Sequence, residues 1–262
     1  MPMSFPIGRY CPGDSPIHRL DPRSKLILTI YAIAVVFSAR GAIGYGLLFA
    51  AAVGAILLSR VGFRAILRSL RPVMMIVGLT FALNAFLPQG GEAIWSWRFL
   101  TLTREGLTAA LTLSARFALL VLTTQLLTLT TSPIALTDGM ERLMRPLARL
   151  RFPAHELAMM MSIALRMIPT LMEETDKIKK AQMARGADFG SGNLFRRARA
   201  FIPLLVPLFV SAFRRAEELA LAMEARCYRG GEGRTRMKVL RFARIDLYAA
   251  LCALPLIAAA FV

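Results

Sequence analysis

The sequence predicts an all-α integral membrane protein with about five transmembrane helices and a separate, highly charged helical region. Three observations carry that expectation. Of 262 residues, 56% are hydrophobic, yet 33 Lys+Arg face only 16 Asp+Glu, a formal net charge of +17. The basic residues bracket long apolar runs instead of spreading evenly. And 21 of the 33 fall between Ser132 and Arg244, where apolar patches are too short to span comfortably. A uniformly soluble domain rarely combines such apolarity with such charge, whereas a membrane protein with basic loops on one side does.

The spans follow in order. A bilayer core of about 30 Å needs roughly 20 apolar residues in helical form. Leu26 to Ala39 is a short first span between Lys25 and Arg40, whose side chains are expected to snorkel. Gly41 to Ser59, rich in Gly and Ala, is a second. Pro72 to Leu87 is a third, opening on a proline whose missing N–H costs little at a helix start. Gly106 to Thr131 is a fourth, interrupted only by Arg116. Leu247 to Val262 is a fifth. The domain plan is therefore residues 1–131 with spans one to four, a region over 132–244, and a C-terminal span over 245–262.

Within 132–244, Leu157 to Leu165 and Phe201 to Phe213 are short apolar patches, the second broken by Pro203 and Pro207. They read as helices at the membrane surface or beneath the spans, with a re-entrant pair as the alternative. Cation counting sets orientation. Arg9, Arg19, Arg23, Lys25, Arg60, Arg64, Arg68 and Arg71 share a face with the 132–244 region, against Arg40, Arg98 and Arg104 opposite. That places the N-terminus and the charged region in the cytoplasm and the C-terminus outside.

Other classes fit poorly. An isoelectric point of about 11.2 suits phosphate binding, but the bracketed charge pattern and the lack of an aromatic-plus-basic module argue against nucleic acid. Cys11, Cys227 and Cys252 have neither metal-ligand spacing nor an even count, so no disulfide framework or metal site is expected. Pro2, Pro6, Pro12 and Pro16 precede the first apolar run, which is unlike a secretory signal. Six scattered Asp residues give no metal cluster for a lipid phosphotransferase. No Gly-x-x-x-x-Gly-Lys-[Ser/Thr] loop is present, so any ATP is handled by another chain.

The most informative motif occurs twice. Ala181-Gln182-Met183-Ala184-Arg185-Gly186 and Ala222-Met223-Glu224-Ala225-Arg226-Cys227 lie 41 residues apart. Pro169 to Gly186 and Phe213 to Arg229 are both patterned as helices, the first with Glu173–Lys177 and Asp176–Lys180 as expected i,i+4 pairs. Gly186 and Gly230-Gly231 are the expected stops. Each arginine then sits in the last turn, where the helix dipole favours a cation. A helix-capping role accounts for one such tip; two alike suit a target that presents the same pocket twice.

Together these stretches make the chain resemble the transmembrane T component of energy-coupling-factor (ECF) transporters, the ABC-type importers of vitamins and transition-metal ions. The resemblance runs over nearly the whole length. It includes Leu20-Asp21-Pro22-Arg23-Ser24-Lys25-Leu26, Thr130-Thr131-Ser132-Pro133, Glu156-Leu157-Ala158-Met159-Met160-Met161 and Leu165-Arg166-Met167-Ile168-Pro169. The two arginine motifs and Arg234-Thr235 complete it. It implies that the cytoplasmic region holds long crossed coupling helices whose tips dock on two ATPase subunits. Ala184, Arg185 and Gly186 would serve one ATPase, and Ala225, Arg226 and Cys227 the other. Cys227 departs from the usual glycine. ATP and Mg would reside on those ATPases, with no cofactor on this chain, and substrate capture on a small membrane S subunit. The chain would be a non-enzymatic, multi-pass subunit of a bacterial or archaeal cytoplasmic membrane. A conventional ABC permease with its own translocation path is the alternative, and would offer one coupling loop per half.

Three further residues stand out. Arg116 lies in mid-span and is either functional, facing a partner or wet interface, or a structural tie. Arg166 is expected to brace the cytoplasmic helices, with contact to lipid headgroups as the alternative, and Pro169 to begin a new helix direction. His18 and His155 read as surface groups, and Met159 to Met161 as adaptable packing.

Overall fold

The computed structural model describes residues 10–39, 41–86, 93–97, 100–146, 153–187, 201–230 and 242–260, with single positions 189, 193, 195 and 199. Arg9, Arg40, Arg98, Asp188 and Arg234-Thr235 lie outside the described residues. The described chain is an all-α membrane fold with one small hairpin. In order come α1 (Pro22–Ser38), α2 (Ala42–Ser59), α3 (Phe63–Phe86), β1 (Ala93–Trp97), β2 (Leu100–Thr103), α4 (Arg104–Thr130) and α5 (Pro133–Met144). Then follow α6 (Ala154–Ala184), α7 (Ile202–Ala225), α8 (Arg244–Ala253) and a 3-10 helix (Leu254–Ala260).

Helix starts obey local chemistry. Asp21 Oδ1 accepts from the Arg23 amide at 3.0 Å, and Pro22 follows at the first helical position. Thr103 Oγ1 accepts from the Gly106 amide at 3.0 Å to open α4. Ser132 Oγ receives the Ala135 amide at the start of α5. Asp246 reaches back to the Ala243 amide at 2.7 Å to open α8. The β1–β2 hairpin pairs antiparallel between α3 and α4, an element the apolar pattern did not announce.

Four element boundaries, two of them in spans, differ from the sequence expectation. α3 begins at Phe63, ahead of Pro72, because the residues before the proline continue the helix. The C-terminal segment is not one α-helix: α8 ends at Ala253 and gives way to a 3-10 helix. Pro255 has no N–H to return to the Leu251 carbonyl, which favours the change. α6 runs unbroken through Pro169, so the apolar patch from Leu157 and the charged segment are one helix of 31 residues. α7 likewise joins the Phe201–Phe213 patch to its charged continuation, with Pro203 in its first turn and Pro207 inside.

The chain divides into two compact units, Met1–Leu143 with Lys238–Val262, and Met144–Met237. In the first, α4 packs against α1, α2 and α3, and the C-terminal 3-10 helix against α1 and α2. Its core is Val35, Val36, Ala39, Tyr45, Leu48 and Leu119. Gly139 lets α5 lie against the start of α1, since an added Cβ would meet Pro22 Cβ at 3.0 Å. Outward faces remain apolar: Ile43, Leu57 and Met75 are 71%, 73% and 80% exposed, as a lipid-facing bundle requires. By length and composition α2 and α4 are each apolar enough to cross a bilayer, and Val73–Phe86 is a shorter apolar stretch. In the second unit α6 and α7 pack on each other.

Candidate functional site: two matched arginine tips

The two Ala-Arg motifs end α6 and α7 with the same backbone. After α6, the Gly186 amide donates to Met183 O at 3.0 Å and the Ala187 amide to Gln182 O at 2.9 Å. After α7, the Cys227 amide donates to Glu224 O at 2.8 Å and the Tyr228 amide to Met223 O at 3.0 Å. This double closure is the Schellman end, and it needs a left-handed residue just past the cap. Gly186 supplies it at φ 88° and Cys227 at φ 55°. Thus Gly186 stops its helix as expected, whereas α7 stops at Cys227 and not at Gly230-Gly231.

Arg185 and Arg226 occupy the cap positions themselves, and both are exposed, as are Ala184 and Ala225. Neither guanidinium has a hydrogen bond or ion pair among the described residues. The tips are therefore pre-shaped by backbone bonds while their charges stay available.

Between them, α6 and α7 are tied at two levels. Glu174 accepts from Ser211 Oγ on one carboxylate oxygen and from Arg215 on the other, with Nη2 at 3.1 Å and Nε at 3.2 Å. These bonds, the serine's first and then the arginine's charge, hold the Glu174 carboxyl below its usual range. Gln182 Nε2 donates to Pro203 O at 3.3 Å. Elsewhere an apolar groove of about 460 Å³ opens between Ile163, Met167 and Leu171 of α6 and Leu219 and Met223 of α7.

Arg166 does not brace this pair. It is exposed and lacks an ion pair or hydrogen bond among the described residues, because Glu174, Ser211 and Arg215 take that task. Pro169 sits exposed within α6, and the helix continues through it. The expected Glu173–Lys177 and Asp176–Lys180 pairs are absent from the described ion pairs.

In the first unit, Arg116 and Lys25 are used internally. Arg116 donates through Nη2 and Nε to Tyr45 Oη at 2.9 and 3.2 Å, and its guanidinium lies 5.8 Å from the Phe37 ring. Tyr45 in turn donates to Ala39 O at 3.2 Å, so Arg116 ties α4 to the α1–α2 turn. The structural reading of Arg116 is the one these bonds support. Lys25 does not snorkel: it is 6% exposed and donates to Thr130 O at 2.9 Å and His18 O at 3.2 Å. His18 is held as well, with Ser15 Oγ 2.7 Å from Nδ1 and Cys11 O 3.0 Å from Nε2. Asp246 Oδ1 receives the Asp21 amide at 2.9 Å, which joins α8 to α1. Two stretches that carry the family resemblance, Leu20–Leu26 and Thr130–Pro133, are thereby fastened together.

These two ties also set the register of α1 against α4. Fourteen residues separate Lys25 from Ala39 and Arg116 from Thr130, a matched rise of about 21 Å on antiparallel α1 and α4. Arg116 thus lies level with the α1–α2 turn. Tyr45, Ser211 and Arg215 went unnoticed in the sequence, which shows Glu174 as a solvated carboxylate paired with neighbouring cations and Asp246 as one of six scattered acids, without these partners; the opposite charges of Glu174 and Arg215, 41 residues apart like the tips, were the available signal.

Residues 13–237 match the family described as cobalt transport protein. Among curated relatives, the energy-coupling factor transporter transmembrane protein EcfT of Acidaminococcus fermentans is 52% identical over 250 residues, covering 95% of this chain and 93% of its own. The protein of the same name from Thermosediminibacter oceani is 54% identical, with 93% and 91% covered. That of Bacillus subtilis is 52% identical, with 90% and 89% covered. The chain belongs to the cobalt transport protein family and, within it, to the energy-coupling factor transporter transmembrane proteins.

Proposed function

We propose that this chain is the membrane-embedded coupling subunit of an ECF-type importer, with Arg185 and Arg226 docking on two cytoplasmic ABC ATPase subunits. The observation that carries the reading is the pair of identical helix ends, each presenting an exposed arginine free of partners among the described residues. A guanidinium entering a groove makes paired, charge-assisted hydrogen bonds to carboxylates or carbonyls. The small Ala184, Gly186 and Ala225 give each tip a narrow profile, while Cys227 adds a side chain on the second.

Closure of the ATPases on ATP would move α6 and α7, and the bundle would relay that motion to a small membrane S subunit carrying a vitamin or transition-metal ion. The chain itself would catalyse nothing; ATP and Mg belong to the ATPases. The charged unit faces the cytoplasm of a bacterial or archaeal membrane on this reading, as the bias of basic residues supports. A lipid phosphotransferase gains nothing from Asp21 and Asp246, which are occupied in capping α1 and α8. No observation favours a self-sufficient ABC permease.

The test is co-purification of the ATPases with tagged chain from membranes. Arg185→Ala with Arg226→Ala is expected to lose both ATPases while the S subunit and the chain's yield stay near normal. Full retention of ATPases and of ATP-driven uptake in that variant removes the reading.

A further inference from the structure

We infer that the Glu174–Ser211–Arg215 cluster is the positioning centre of the crossed helix pair, the point that fixes how far apart the two arginine tips stand. This deepens the docking reading and rests on it. The argument starts from the repeat. The offset of 41 residues that carries Arg185 onto Arg226 also carries Glu174 onto Arg215. The ion pair therefore joins equivalent positions of two like helices, and eleven residues lead from each partner to its own tip. At the α-helical rise each arm is about 16 Å long.

The arms extend in opposite senses. Gln182 near the first tip bonds Pro203 at the start of α7, and Glu174 bonds Ser211 and Arg215 further along, so the helices run antiparallel. Beyond the cluster, toward the second tip, contacts open into the groove bounded by Met167, Leu171, Leu219 and Met223. Apolar packing leaves space on that side, so it does not by itself set the angle of the Arg226 arm. The ion pair at the base of that arm is made with the Glu174 carboxylate, both of whose oxygens are engaged. Two guanidinium nitrogens converge on one carboxylate oxygen while Ser211 holds the other, which fixes the arginine plane as a lone lysine would not. Equal arms and a directional centre give a geometry in which one rotation displaces both tips alike.

The experiment uses the full transporter in lipid nanodiscs, with spin labels on Met183→Cys and Leu221→Cys in a chain carrying Cys11→Ser, Cys227→Gly and Cys252→Ser. Distances between labels are read by pulsed electron resonance, and substrate taken up per ATP hydrolysed is measured in vesicles. Glu174→Gln is expected to broaden the distance distribution and to lower uptake per ATP roughly two- to five-fold, the range one exposed pair supports. ATPase co-purification is expected to hold. The reversed pair, Glu174→Arg with Arg215→Glu, is expected to restore both readouts, which a merely structural lesion would not allow. Ser211→Ala probes the same carboxylate if Glu174→Gln does not accumulate. An unchanged distribution in Glu174→Gln or Ser211→Ala, or failure of the reversed pair to restore it, overturns the inference. Failure of the docking reading is seen separately, as ATPases that remain bound when both tip arginines are removed.

Discussion

Cations serve opposite ends in the two units. In the bundle, Lys25 and Arg116 are consumed internally, by the carbonyls of Thr130 and His18 and by Tyr45. In the α6–α7 unit, Arg215 is spent on Glu174, but Arg185 and Arg226 are left out on helix ends with no partner among the described residues. A charge that the fold has already satisfied adds stability and offers little to a partner. A charge held on a rigid end and left unsatisfied does the reverse. The two groups of residues should therefore fail differently when removed.

The largest effect expected is on assembly. Arg185→Ala or Arg226→Ala should each weaken ATPase binding by about 2–5 kcal/mol, the usual cost of truncating one partner of a desolvated charge pair. Melting of the isolated chain in detergent should not change. Equal losses of assembly and melting temperature would erase the contrast between units.

Next comes the internal tie. Tyr45→Phe strands the Arg116 guanidinium and should destabilise the bundle by about 1–3 kcal/mol. Arg116→Leu made on top of Tyr45→Phe should recover part of that loss, since no stranded charge remains. Thermal unfolding of the four corners of the cycle measures the coupling. Full assembly with ATPases is expected in every variant that folds.

Smaller effects separate the two tips from each other. Gly186→Ala forces a Cβ into a left-handed conformation at φ 88° and should cost about 1–2 kcal/mol. Cys227→Gly relieves the same conformation at φ 55° and should stabilise the end of α7 by a few tenths to about 1 kcal/mol. Amide hydrogen exchange at Ala187 and Tyr228 reads both. Smallest is the response to acid. The Glu174 carboxyl is lowered from its usual range by Ser211 and Arg215, so its contribution is complete at neutral pH. It is lost only as pH falls through that lowered value. Distances between labels on α6 and α7 should hold steady through mildly acidic buffer and spread below it.

The end of α6 was legible in the sequence because Gly186 and the Ala-Arg pattern act locally, whereas α7 ends at Cys227, three residues before the expected glycines. The two tips and the apolar spans α2 and α4 came out close to where the residues put them. Prolines misled. Pro169 and Pro207 each remove one backbone donor, a cost of ~3 kcal/mol that a helix with long intact flanks can carry. Patches of different polarity on either side then belong to one helix. Partner choice was not legible either. Periodicity shows that Glu174 and Arg215 lie on helix faces, but not that those faces meet, and it showed Arg166 no differently from Arg215. Arg116 was visible as an anomaly; Tyr45, 71 residues away, was visible only once α2 and α4 had packed.

The most direct measurement places a photo-activated crosslinker on Cys227, the exposed thiol beside Arg226, in the assembled transporter with Cys11 and Cys252 replaced by serine. Irradiation is expected to join the chain to an ATPase subunit, and Ala187→Cys labelled the same way should reach the other ATPase. Adducts confined to the chain itself, to lipid or to the S subunit would contradict the account.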